Sequence, residues 1–94
     1  MIPRWTRSAI ADLTEARRYI ERDNPDAAQA LASKILAAVD LLVQTPGIGR
    51  PGRVPATREF VITRTRYLIV YHVRRRRLEI LRILHQHRQW PMGR

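Results

Sequence analysis

Residues 57–85 read TREFVITRTRYLIVYHVRRRRLEILRILH, and this stretch decides the fold. Three runs stand out in it: Phe60–Thr63, Tyr67–Val73 and Leu78–His85. Each is short and rich in β-branched and aromatic side chains, a composition that favours strand over helix. The middle run is apolar on both alternating faces, as expected of a strand flanked on each side and covered at least partly on both faces. Arg64-Thr65-Arg66 and Arg74-Arg75-Arg76-Arg77 separate the runs and are short enough for hairpin connections. The stretch therefore predicts a three-stranded antiparallel sheet with arginines at both of its ends.

Upstream, the period changes. Ala9/Ile10, Leu13, Ala16 and Ile20 recur at steps of three and four, predicting a helix over residues 8–22 capped by Thr6 or Ser8. Asp23-Asn24-Pro25-Asp26 interrupts it and restarts a helix. Asn24 can cap, proline fits the first helical position, and Asp26 suits the positive helix end. The second helix is expected to run to about Val43, burying Ala28, Leu31, Ile35, Ala38/Val39 and Leu42. So short a junction makes the two helices an antiparallel hairpin. Met1–Trp5, with Pro3 unable to donate to a ladder, fits a short edge strand. Thr45–Pro55 holds three of the four glycines and three of the six prolines. It ends the second helix and turns the chain into the sheet. It lacks the lysine and Ser/Thr of a phosphate-cradling loop, and no helix follows. Trp90-Pro91, in the polar tail, is expected to pack back on the body. The fold class is α+β, with residues 1–94 in one domain.

The chain has 18 Lys and Arg against 8 Asp and Glu, a formal charge of +10. Residues 1–47 are balanced, and residues 48–94 carry the excess, twelve arginines against Glu59 and Glu79. All but one of the basic residues are arginine, the side chain built for forked contacts with phosphate or carboxylate. A polyanionic or acidic partner is the expectation, gripped by Arg50, Arg53, Arg58, Arg64, Arg66 and Arg82. The absence of cysteine excludes disulfides and thiolate chemistry. His72, His85 and His87 have no carboxylate at a ligand-like spacing, so no metal or other cofactor is expected. No apolar run approaches the ~20 residues of a transmembrane helix, and the first five residues are unlike a signal peptide. A cytoplasmic protein without membrane association is the default.

The order strand, helix hairpin, glycine/proline loop and three strands resembles the RelE/ParE superfamily of type II toxins. The resemblance is carried by Trp5-Thr6, Ala11-Asp12-Leu13, Tyr19-Ile20, Asn24–Ala28, Pro46–Arg53, Thr57-Arg58-Glu59, Tyr67–Tyr71, Ile83-Leu84-His85 and Trp90-Pro91, which together span nearly the whole chain. It implies a growth-inhibiting toxin and a cognate antitoxin that neutralises it, assembled as a toxin–antitoxin hetero-oligomer. Two activities occur in the superfamily. The RelE-like branch cuts mRNA in the ribosome, and the ParE-like branch poisons DNA gyrase without hydrolysing anything itself.

Cutting RNA through its 2′-hydroxyl needs a base, an acid and cations for the extra phosphate charge. Arg58 and Arg82 with His85 are the catalytic candidates for that branch, with Arg64 and Arg66 as further phosphate holders. Against it, Pro46 stands where such relatives can have a glutamate, Lys34 is the only lysine, and no tyrosine follows His85. The long helix hairpin and the Gly-Arg-Pro-Gly-Arg loop resemble the ParE-like branch more closely. The expectation is a non-enzymatic, gyrase-directed toxin. A ribosome-dependent mRNA endonuclease and a plain nucleic-acid-binding module are the alternatives.

Overall fold

A computed structural model describes residues 1–87; Trp90-Pro91 lies outside the described residues. The element order is β1 (Pro3–Trp5), α1 (Arg7–Glu21), α2 (Pro25–Gln44), a 3-10 turn (Pro46–Ile48), β2 (Arg50–Pro51), β3 (Arg58–Val61), β4 (Tyr67–Arg74) and β5 (Arg77–His85). The expected α+β class and helix hairpin are present, and the sheet is larger than anticipated. It has five strands in the order β1-β5-β4-β3-β2. β1 is the expected edge strand and runs parallel to β5, pairing Pro3–Trp5 with Leu78–Ile80. β2, only two residues long, pairs with Glu59 and Arg58 at the other edge. A two-residue strand carries no period and a parallel partner far off in sequence leaves no local signature, so β2 and the pairing of β1 with β5 were not legible.

Both helices start where their caps stand. Thr6 Oγ accepts from Ala9 N at 3.2 Å and Asn24 Oδ1 from Ala27 N at 3.0 Å, with Pro25 in the first helical turn. The predicted face of α2 is buried in full: Ala28, Leu31, Ile35, Ala38, Val39 and Leu42. On α1 it is Ala9, not Ile10, that enters the core. These residues pack on Ile69, Tyr71, Leu78, Ile80 and Ile83 of the sheet. A smaller cluster of Leu68, Val70 and Leu84, with Leu81 beside it, occupies the sheet's other face. β4 is thus central and covered on both sides, as its double alternation requires. No helix among the described residues is long and apolar enough to cross a membrane.

The β4–β5 connection differs from expectation. Arg74 and Arg77 belong to the strands and pair with each other, leaving only Arg75-Arg76 as the turn. Both have positive φ, 52° and 63°. A two-residue turn that matches the strand twist needs this left-handed backbone, and Asn-Gly adopts it with least strain. For other residues the left-handed region costs about 1–2 kcal/mol each. Glycine returns about 0.5–1 kcal/mol of this in chain entropy and Asn relieves only part of the strain, so Arg75→Asn/Arg76→Gly is expected to gain ~1 kcal/mol net and raise Tm by about 4–8 °C, read by thermal unfolding.

Candidate functional site

The arginines singled out in the sequence divide into four groups. The first is bound to Glu59, whose carboxyl sits on β3 with its side chain 1% exposed. Arg53 reaches it through Nε at 3.1 Å, Nη2 at 3.1 Å and the backbone N–H at 3.0 Å, and Arg50 through Nη2 at 3.3 Å. Burial alone would push the Glu59 carboxyl up. The hydrogen bonds from Arg53, then Arg50, outweigh it and hold the pKa below the ordinary value.

Arg82 forms the second group with Asp12. Nε and Nη2 bind the two carboxylate oxygens at 2.7 and 2.9 Å, and the Ile83 N–H donates to Asp12 at 3.0 Å. Chain topology explains the contact. β1 covers β5 only as far as Ile80, so the ladder groups beyond it need another partner. Thr6 donates to Ile80 O at 2.9 Å, and Asp12, two turns into α1, takes up the next stretch. The hydrogen bonds that Arg82 donates to Asp12 raise its pKa; burial opposes them and Asp12's charge adds to the rise.

Arg58 belongs to the loop. Its Nη1 donates to Gly49 O at 2.7 Å and Gly47 O at 3.4 Å. Tyr71, fully buried, fixes the same loop from inside: its hydroxyl donates to Pro46 O at 2.6 Å and accepts from Gly49 N at 3.0 Å. A Cβ at position 49 would stand 2.5 Å from that hydroxyl oxygen, so glycine is required there by close approach. The glycine-rich loop is a clasp between α2 and β4.

Arg64 and Arg66 make up the fourth group, in the β3–β4 turn, where Arg64 has φ 64°. They line a crevice of about 400 Å³ with Tyr19, Leu31, Lys34, Tyr67 and His85, between the helix hairpin and one end of the sheet. His85 lies edge-on to Tyr67, ring centres 5.6 Å apart, and 5.4 Å from the His87 ring. A second apolar hollow of about 410 Å³ shares Lys34 and Arg64 and continues along α2 past Leu41 and Phe60. So Arg64, Arg66 and His85 are brought together, whereas Arg82, Arg58 and the Arg50/Arg53 pair are each engaged elsewhere. The sequence reading missed Tyr19 as a wall of this crevice. Its signal was present: an aromatic side chain, 71% exposed, among the charges on α1. His72, inside β4, is bonded to Glu79 across the ladder at 2.6 Å. This bond, ahead of the charges of Arg4 and Arg74, holds the Glu79 carboxyl below its ordinary range.

A helix hairpin on one face of a small mixed sheet, with an apolar crevice rimmed by cations, defines the class: the fold of the RelE/ParE superfamily. Residues 4–90 match the family model of the ParE toxin of type II toxin–antitoxin system, parDE. The chain belongs to this ParE toxin family. It is 47% identical over 88 residues to the toxin candidate Y4kP of Sinorhizobium fredii (strain NBRC 101917 / NGR234), covering 94% of this chain and 91% of the relative. Toxin RelE2 of Caulobacter vibrioides (strain ATCC 19089 / CIP 103742 / CB 15) is 40% identical over 81 residues, 86% of this chain and 90% of that one. Among solved structures, the chromosomal ParDE TA system from P. aeruginosa superposes with a TM-score of 0.82 at 31% identity, covering 90% of this chain and 95% of the other. Membership implies a cognate antitoxin as partner.

Proposed function

We propose that the protein is a ParE-like toxin that inhibits DNA gyrase by binding and performs no hydrolysis of its own. The observation that carries this reading is the engagement of the cations an RNase would need. Arg82 is bound through the Nε–Nη2 edge of its guanidinium by Asp12, and Arg58 donates to loop carbonyls. A guanidinium that gives its Nε–Nη2 edge to a part-buried carboxylate has that edge, and much of its charge, withheld from a phosphate. The crevice beside α2 is proposed as the seat of the antitoxin. Its apolar floor suits the apolar stripe of a helix, and Lys34 and Arg64 on its rim suit acidic side chains flanking that stripe.

One observation favours the second reading, a RelE-like ribosome-dependent endonuclease: His85 shares its crevice with Arg64, Arg66 and Lys34, a titratable group beside three cations. Two assays run on the same preparation separate them. The expected result is loss of supercoiling, or trapped cleaved DNA, with purified gyrase, while messages on translating ribosomes stay intact. Unimpaired gyrase together with new mRNA 5′ ends that vanish in His85→Ala would overturn the gyrase reading.

A further inference from the structure

We propose that the tip of the β4–β5 hairpin, with Arg4 of β1 beside it, is a docking surface for the phosphate backbone of duplex nucleic acid. The surface stands on its own geometry and does not depend on which target the toxin inhibits. It lies at the far end of β4 from the crevice, about 20–25 Å away at the rise of an extended strand.

Parallel pairing of β1 with β5 sets Arg4 opposite Glu79, two pairs along from the Arg74–Arg77 pair at the tip. Arg4, Arg74, Arg75, Arg77 and Glu79 line a hollow of about 380 Å³. Glu79 is occupied by His72 at 2.6 Å and by Arg4 at 3.5 Å. Arg74, Arg75 and Arg77 have no carboxylate within ion-pairing distance among the described residues. Arg74 and Arg77 are direct cross-strand partners, a placement of like charges that weakens a ladder. The turn between them holds two arginines in backbone conformations that Asn and Gly occupy with less strain. The fold thus carries at this tip a charge repulsion and a backbone strain that its own packing does not require. A bound polyanion would remove the repulsion and use the charge.

The lining decides which polyanion. Every residue around the hollow is charged, and Val73, the exposed apolar neighbour, alternates onto the opposite face with Tyr71. A folded acidic protein segment would need an apolar or aromatic anchor to hold it, and none lines the hollow. Single-stranded nucleic acid would need an aromatic platform for its bases, and there is none here either. A duplex presents regularly spaced phosphates and asks only for forked cations in a polar, wet contact.

Fluorescence anisotropy of the full chain with a short labelled DNA duplex, across a salt series, tests this. The variant of choice is Arg75→Asn/Arg76→Gly, because it is expected to fold more stably than the parent. Its affinity should fall at low salt, and the slope of log Kd against log salt should shrink by about two, at ~0.9 per lost phosphate contact. Arg17→Gln/Arg18→Gln, which removes the same charge from the outer face of α1, should leave the slope unchanged. A tip variant that binds with the parent's affinity and slope overturns the proposal. So does an equal loss in the α1 variant, which would mean attraction by net charge alone. Displacement of the duplex by polyglutamate at equal charge concentration would overturn it in favour of an acidic protein partner.

Discussion

Arg53→Ala is expected to destabilise the fold by about 3 kcal/mol, the lower end of what breaking a buried ion pair costs. The reason lies in which group is left behind. Glu59 has a side chain 1% exposed, and without the Arg53 guanidinium it keeps only one side-chain partner, Arg50, itself 60% exposed. A carboxylate that cannot reach water and has lost most of its donors is the costly half of the pair. The reverse substitution is milder. Glu59→Gln leaves behind Arg50 and Arg53, whose side chains are 60% and 43% exposed, and water can take up both. Its expected cost is about 1.5 kcal/mol, the loss of charge-assisted hydrogen bonds without a stranded buried charge. Thermal or urea unfolding of the two variants should therefore show Arg53→Ala well below Glu59→Gln. Equal losses would mean that the site is wet and that Glu59 is not held as the structure has it.

The same site fixes a pH dependence. Burial raises the Glu59 pKa, and the Arg53 and Arg50 hydrogen bonds lower it by more, so the folded value lies below the ordinary 4.5. The unfolded chain then binds the proton more readily, and stability increases with pH across this range. The contribution is complete above the unfolded value and is lost as pH falls through the depressed folded one. Glu79, lowered by its hydrogen bond from His72, acts in the same direction. Glu59→Gln should accordingly flatten, without abolishing, the fall of Tm as pH drops below the ordinary carboxylate value of 4.5.

What the sequence made legible follows from how local each signal is. Thr6, Asn24 and Pro25 mark helix ends because a cap is a contact over two or three residues, and all three serve where they stand. The core face of α2 and the double burial of β4 are periodic, so counting found them. The pairing of Asp12 with Arg82 spans 70 residues and exists because β1 stops at Trp5 and leaves the edge of β5 open. No pattern around either residue announces it. Glu59 was visible as one of two acids in a basic half. That it would gather Arg50 and Arg53 depends on β2 pairing with β3, a two-residue ladder with no period to read. Reading Arg50, Arg53, Arg58, Arg64, Arg66 and Arg82 as one grip treated charge as additive, whereas the fold engages four of the six, Arg50 and Arg53 at Glu59, Arg58 at the clasp and Arg82 at Asp12. The positive φ of Arg75 and Arg76 was likewise hidden, because the residues there are not the ones the turn prefers.

Asp12→Ala carries the largest expected loss, about 4 kcal/mol, because Arg82 and the Ile83 N–H lose a part-buried carboxylate at once. Arg82 is 16% exposed and would lose both of its short bonds, and the Ile83 N–H would lose its acceptor at the unpaired edge of β5. Asp12→Asn keeps an oxygen for Ile83 and removes the charge, so it should lie about 1–2 kcal/mol above Asp12→Ala, the cost of one unsatisfied donor. At about 4–8 °C per kcal/mol the two are easily resolved by thermal unfolding. The comparison also tests what Arg82 does for toxicity. Arg82→Ala removes the guanidinium and the pair together, so loss of growth inhibition in that variant cannot separate contact from folding. Asp12→Asn removes the charge that holds the guanidinium while keeping the guanidinium on the protein. If Arg82 meets the target directly, Asp12→Asn should retain growth inhibition per folded molecule, and Arg82→Ala should lose it even at temperatures where both are folded. If Arg82 serves only to pin α1 to β5, inhibition in both variants should track the folded fraction and nothing else. The gyrase reading requires this second outcome, since it rests on a guanidinium already committed to Asp12.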